Sequence, residues 1–100
     1  MGIGEGLAIL GKALGAGLCM GIGAIGPALG EGNAVSHALE GMARQPEAAD
    51  NLRVNMILGC AITESTGIYA LVTAILILFT LLSMVYIGIS QPEPAKAEAE

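Results

Sequence analysis

One carboxylate stands alone in a long apolar stretch of the chain. Glu64 is the only charged residue between Val54 and Ser90. At a rise of ~1.5 Å per residue, a helix over this stretch is ~55 Å long, more than the ~30 Å hydrocarbon core of a bilayer. A charged side chain at membrane depth costs at least ~2.5–3.5 kcal/mol and is a functional group by default. Glu64 therefore predicts an ion-carrying carboxyl, and the simpler alternative is a carboxyl that bonds a neighbouring helix.

Further oxygen donors can reach Glu64 if the chain folds as a hairpin. Glu31 and Glu64 lie at similar distances from Gln45, where the following Pro46 disfavours a helical conformation. Two carboxyl groups close together in a low dielectric cannot both ionise, so one is expected to keep a proton. Ser65, Thr66 and Tyr69 can supply hydroxyl groups nearby. Such hard oxygen donors suit a hard cation or a proton rather than a soft metal.

The composition indicates a membrane chain. Hydrophobic residues make up 54% and charged residues 13%, Trp is absent, and the mean hydropathy is +0.72. The formal net charge of -5, without a basic patch, predicts no nucleic-acid partner. Cys19 and Cys60 both lie inside apolar runs, which favours small packing residues over a disulfide.

The sequence predicts an all-α membrane protein over residues 1–90: an antiparallel hairpin of two transmembrane helices. The first helix is predicted at about 3–43, a polar loop at about 44–47 and the second helix at about 48–90. Small residues follow two opposite flanks of the first helix: Gly15, Gly23, Gly26 and Gly30 on one flank, and Gly17, Gly21 and Gly32 on the other. Identical copies can approach both flanks closely, and this repeated contact closes into a homo-oligomeric ring.

The charges predict how the hairpin is oriented. The polar connection carries Arg44 and Arg53, two of the four Lys and Arg residues, whereas the C-terminal end is acidic. The positive-inside rule therefore predicts a cytoplasmic loop with both termini outside. Residues 91–100 (QPEPAKAEAE) have no apolar face and two prolines, which predicts a disordered acidic tail.

The glycine-rich first helix, the loop Ala43-Arg44-Gln45-Pro46 and the segment Glu64-Ser65-Thr66-Gly67-Ile68-Tyr69 resemble the c subunit (proteolipid) of F-type ATP synthases, over roughly residues 5–88. The resemblance implies a rotor ring of identical hairpins, surrounded by lipid in a bacterial plasma membrane. Each copy would carry a coupling ion on Glu64 past the a subunit of the stator. It further implies that the loop Arg44, Gln45, Pro46 contacts the central stalk, and that the chain is not itself an enzyme.

The sodium-coupled branch of this family implies a set of ligands. By resemblance, Na⁺ would be bound by Glu31, Glu64, Ser65 and the backbone carbonyl of Ile62, with Tyr69 nearby and Thr66 positioned to hold a water molecule. Glu31 departs from that branch, which usually has a glutamine there, and resembles a rarer two-carboxylate variant. Na⁺ is therefore the expected ion and H⁺ the alternative.

Other classes of protein remain as alternatives. A vacuolar-type proteolipid usually repeats the hairpin, and this chain has no internal repeat. A pore-forming hairpin without a rotor would have no use for the Arg44-Gln45-Pro46 loop. An intramembrane enzyme could use Glu31 and Glu64 as an acid–base pair, but no nucleophile accompanies them. The GEG and GIG strings lie in an apolar helix and are packing features rather than a phosphate-binding loop.

Overall fold

The computed structural model describes residues 2–91, which form three α-helices and one short 3-10 helix. The α-helices are α1 (Ile3–Gly23), α2 (Ile25–Arg44) and α3 (Ala49–Ser90), and the 3-10 helix is Pro46–Ala48. α1 and α2 both pack along α3, which returns antiparallel to them, so the chain is a hairpin of 76 × 17 × 11 Å. The prediction of an all-α two-helix hairpin is confirmed. Apart from Gln91, the predicted acidic tail lies outside the described residues.

The first arm of the hairpin is interrupted at Ala24, where the sequence predicts one continuous helix. Pro27 is the physical reason, because it has no N–H to donate to the Gly23 carbonyl and its ring crowds that carbonyl. The interruption is confined to one residue: Ala24 keeps right-handed helical dihedral angles, its N–H bonds the Met20 carbonyl at 3.0 Å, and its carbonyl accepts from the Ala28 N–H at 3.1 Å. α1 and α2 therefore continue in nearly the same direction.

The two arms are joined by a tight connection at Gln45. Its φ of -132° and ψ of 79° are not helical, as the following proline requires, and Pro46 then begins the 3-10 helix. The Gln45 N–H still bonds the Gly41 carbonyl at 2.9 Å, and the Ala48 N–H bonds the Gln45 carbonyl at 3.0 Å. Gln45 is therefore the single non-helical residue of the connection, and a helical hydrogen bond lies on each side of it.

Both arms are long and apolar enough to cross a membrane, by length and composition, over Ile3–Arg44 and Pro46–Ser90. Two helices side by side enclose no core, and so few described residues are buried: Ala16, Pro27, Gly67 and Ala74. One whole face of the first arm is exposed and apolar, formed by Leu7, Leu14, Leu18, Ile22, Ile25 and Leu29. A continuous apolar surface of this size requires a cover of lipid or protein.

Candidate ion-binding site

The two carboxyl groups in the apolar spans lie near each other. Glu31 on α2 and Glu64 on α3 are near enough to interact electrostatically. If they share a hydrogen bond, one of them keeps its proton, because an ionised carboxylate only accepts. Glu31 is half-buried, and its Oε1 is buried without a hydrogen-bond partner among residues 2–91. Glu64 is exposed on the surface of the single hairpin.

Two further oxygen atoms lie in the turn of α3 that carries Glu64. The Ser65 hydroxyl donates to the Ile62 carbonyl at 2.6 Å, three residues earlier in the helix. This bond uses the only proton of the hydroxyl and leaves lone pairs on its oxygen. Ser65 Oγ is therefore oriented as an acceptor beside Glu64, as the ligand of a cation must be.

Gly67 and Pro27 form a wall of the Glu64 site that was not predicted from the sequence. A Cβ atom on Gly67 would lie 3.4 Å from Glu64 Oε1 and 3.7 Å from Pro27 Cγ. Both residues are buried. A Cβ on Gly67 would therefore be in ordinary van der Waals contact with both the Glu64 carboxyl and Pro27. The sequence does contain a signal for this role of Gly67: the residue lies three positions after Glu64 and therefore on the same face of the helix.

Thr66 and Tyr69 do not join the site within one chain. Thr66 is exposed, and Tyr69 is 71% exposed and makes no hydrogen bond to Glu64 among the described residues. The physical reason is the angle between the two side chains. Five residues at ~100° each make one full turn plus about 140°, so Tyr69 lies about 140° around the helix from Glu64. The single hairpin therefore does not bring Tyr69 next to Glu64, and its place near the ion stays a prediction.

The sequence of residues 14–77 matches the family model of the ATP synthase c subunit. The chain belongs to this family. It is 61% identical over 79 residues to the ATP synthase c subunit of Petrotoga mobilis, covering 79% of this chain and 82% of that protein. It is 60% identical over 74 residues to that of Thermotoga maritima, covering 74% and 87%. The corresponding protein of a Synechococcus strain is 48% identical over 68 residues, covering 68% and 84%.

Membership of this family confirms two of the predictions made from the sequence. The chain is a non-catalytic membrane rotor component of an ATP synthase, and its bacterial relatives and two apolar helices make it a bacterial membrane protein. The identity of the ion, the ligands and the contacts with other subunits stay predictions. The described residues contain no group of three or more His, Cys, Asp or Glu side chains that could bind a metal. A cation would accordingly depend on the hydroxyl and backbone oxygens as well.

The glycines that the sequence assigns to ring contacts of this family divide into two groups. Gly15, Gly17, Gly21, Gly26 and Gly32 have open space where a Cβ atom would lie. Gly23 and Gly30 instead face α3 of the same chain: a Cβ on Gly23 would lie 2.7 Å from the Ala70 Cβ, and one on Gly30 would lie 3.6 Å from Thr63 Cγ2. Gly23 thus has an intrachain contact that the flank pattern did not predict.

The loop assigned to the stalk is exposed at the closed end of the hairpin. Arg44 ends α2 and is followed by Gln45 and Pro46, all three exposed. The Arg44 guanidinium lies 3.8 Å from the Glu40 carboxylate, and the Arg44 side chain is 80% exposed. A surface ion pair of this kind contributes little to stability. Arg44 is therefore free to contact another protein.

Proposed function

We propose that this chain is one copy of a rotor ring and carries Na⁺ across the membrane on Glu64. The supporting observation is that four oxygen-bearing groups lie near one another: the Glu31 and Glu64 carboxyls, the Ser65 hydroxyl and the Ile62 carbonyl. Buried polar atoms normally have a partner. Glu31 Oε1 has none within the described part of the chain, and a bound cation would supply one.

The charges of the proposed site balance with one ion. If Glu31 keeps its proton, it donates to Glu64, and the ionised Glu64 with one Na⁺ is neutral. If both carboxyls ionised around a single cation, a net negative charge would remain in lipid, which is costly. The proposed carrier state is therefore protonated Glu31, ionised Glu64 and Na⁺, with Ser65 and Ile62 as further ligands.

The same charge balance restricts where the ion is exchanged. An empty, ionised Glu64 is stable only where water or a positive partner compensates it. We place this exchange at the a subunit of the stator, and elsewhere the ring keeps its ion while it turns. The loop Arg44, Gln45, Pro46 then contacts the central stalk on the cytoplasmic side, with both termini outside and lipid around the ring.

The second candidate is proton carriage by the same ring. The observation that favours it is the electrostatic interaction of Glu31 with Glu64, since a proton between two carboxyls needs no further ligand. The Ser65–Ile62 pair would then have only a structural role. Both candidates assign the translocated charge to Glu64 and differ in the ion.

The test is carbodiimide labelling of Glu64, located by peptide mass, in the assembled ring at several pH values. Carbodiimides react with protonated buried carboxyls, so labelling should fall when Na⁺ is added at neutral pH. Protection should weaken as the pH falls, because H⁺ and Na⁺ compete for Glu64. Choline chloride at equal ionic strength controls for salt, and Glu64→Gln controls for the site. Labelling insensitive to Na⁺ at both neutral and acidic pH would establish the proton candidate instead.

A further inference from the structure

Lys12 is a cationic residue between the two arms, and its partner on the opposite arm is weak. Its Nζ donates to Met84 Sδ on α3 at 2.8 Å, and the side chain is half-buried. An ammonium group has three N–H donors, and a thioether sulfur is a weak, uncharged acceptor. Among residues 2–91, the Lys12 side chain makes no ion pair and no other hydrogen bond. Its positive charge is therefore not balanced within the hairpin.

The position of Lys12 along the first arm fits a headgroup layer of the membrane. Arg44 is 32 residues later, about 48 Å at the rise of a helix, and a bilayer with its headgroups is ~40–45 Å thick. Tyr86, two residues beyond Met84, is 72% exposed, and tyrosine is enriched at membrane–water interfaces. When Arg44 lies at the surface of one leaflet, Lys12 therefore lies among the headgroups of the other.

A cavity of about 160 Å³ lies between the arms on the side of Lys12 that faces the open end of the hairpin. Its lining is mostly apolar and contains one carboxylate: Glu5, Ile9, Met84, Ile87, Gly88 and Gln91. Met84 contacts both the cavity and the Lys12 ammonium. Glu5 is seven residues before Lys12, nearly two helical turns, so it lies on the same face about 10 Å closer to the open end.

We propose that this cavity binds the headgroup of a zwitterionic phospholipid of the ethanolamine type, with its phosphate on Lys12 and its ammonium on Glu5. In such a lipid the phosphate lies nearer the acyl chains and the ammonium lies nearer the water. Lys12 and Glu5 present the complementary charges in the same order along α1. The headgroup of an anionic lipid without an ammonium would leave the Glu5 carboxylate next to a second negative charge.

A carboxylate of a neighbouring copy in the ring is the competing partner for Lys12. It would balance the ammonium but would leave Glu5 without a cation, whereas the ethanolamine headgroup balances both charges. The site is also remote from the ion, because Met84 is twenty residues after Glu64, about 30 Å along α3. The proposal therefore does not depend on which ion the ring carries.

The test is native mass spectrometry of the assembled ring, stripped of lipid by detergent and titrated with phosphatidylethanolamine or phosphatidylglycerol of identical acyl chains. The wild-type ring should be half-saturated at an about ten-fold lower concentration of phosphatidylethanolamine. Lys12→Gln should weaken this binding about ten-fold or more, because a charge-assisted hydrogen bond is lost. Glu5→Gln should reduce the difference between the two lipids. Arg53→Gln, which removes an exposed basic residue at the other end of the hairpin, should bind as the wild type does.

Two results would overturn the proposal. One is equal binding of both lipids by the wild-type ring. The other is unchanged binding of phosphatidylethanolamine in Lys12→Gln, and if that ring also dissociates more readily, Lys12 is a contact between copies instead. If Lys12→Gln does not assemble, Glu5→Gln decides the question, because Glu5 is exposed in the first turn of α1. An undiminished preference for phosphatidylethanolamine in Glu5→Gln would contradict the pairing of Glu5 with the ammonium.

Discussion

The Ser65 hydroxyl donates to the Ile62 carbonyl at 2.6 Å, across the helical turn that contains Glu64. The bond fixes the direction of the hydroxyl and presents its oxygen lone pairs beside the carboxyl. Hydroxyl-to-carbonyl bonds of this kind also occur where no ion is expected, as from Ser90 to the Ile87 carbonyl at 3.1 Å. What distinguishes Ser65 is its position next to Glu64, within reach of the proposed cation.

Ser65→Ala should therefore weaken Na⁺ binding more than H⁺ binding. The substitution removes one oxygen ligand, which we expect to lower Na⁺ protection about ten-fold. The measurement is the Na⁺ concentration that half-protects Glu64 from carbodiimide. Ser90→Ala is the matched control, since it removes the same i to i−3 bond far from the site. Equal protection in both variants would remove Ser65 from the ligand set.

Gly67→Val should displace the Glu64 carboxyl. A Cβ on Gly67 already reaches contact distance from Glu64 Oε1, so the methyl groups of valine need the space that the carboxyl occupies. We expect loss of Na⁺ protection with unchanged helix content by circular dichroism. Gly59→Val makes the same change in helix propensity on the same helix, at a position with open space, and should bind Na⁺ normally. Normal protection in Gly67→Val would show that the carboxyl packs elsewhere.

Gly26→Leu tests the proposed ring contacts. Nothing within the described chain lies within 4 Å of a Cβ on Gly26, so the hairpin itself should fold. If a neighbouring copy packs against this flank, the leucine side chain should prevent assembly or change the number of copies. The mass of the detergent-resistant assembly measures this. Gly88→Leu, at an equally open position on α3, should assemble normally. Unchanged rings from Gly26→Leu would rule out close packing there.

Arg44→Ala tests the proposed stalk contact. Arg44 is 80% exposed and has only a surface ion pair with Glu40 among the described residues, so the hairpin and its ion site should be unaffected. In vesicles containing the whole synthase, ATP hydrolysis should continue while ATP-driven ion transport falls. Glu40→Ala removes the same ion pair and should transport normally. Loss of Na⁺ protection of Glu64 together with normal transport would contradict the assignment.

The proximity of Glu31 and Glu64 could be predicted from the sequence because it depends on few quantities. Pro46 locates the bend, helical rise gives each carboxyl a similar depth, and a lone carboxylate in lipid needs a partner. The interruption at Ala24 depends on a rule that was equally accessible: the carbonyl four residues before Pro27 loses its donor. Tyr69 is close to Glu64 along the helix axis, as the resemblance implies, but its angle around the helix separates the two side chains.

The close contacts between the arms could not be predicted in the same way. Whether Gly23 faces Ala70 or a neighbouring copy depends on how each helix is rotated about its own axis. A helical wheel gives only relative angles within one helix, and both flanks of the first helix contain small residues. The role of Gly67 could not be predicted for the same reason, since it depends on Pro27 and the Glu64 carboxyl both lying beside Gly67.

The final prediction concerns the pair of carboxyls itself and compares Glu31→Gln with Glu31→Ala. Glutamine keeps an oxygen for the cation and an N–H that can donate to Glu64, so Na⁺ protection should persist. Two interacting carboxyls titrate as a coupled pair, whereas in Glu31→Gln only Glu64 remains. The pH dependence of protection should therefore reduce to that of a single group.

Alanine lacks both the oxygen and the donor, and it leaves space where Glu31 Oε1 is buried in the wild type. We expect Glu31→Ala to lose Na⁺ protection by about ten-fold or more, since a ligand and a hydrogen bond to a charged group disappear together. Protection measured across pH in the assembled ring separates the three proteins. A two-group pH profile persisting in Glu31→Gln would mean that Glu31 does not interact with Glu64. Full protection in Glu31→Ala would mean that the cation is bound without the first arm.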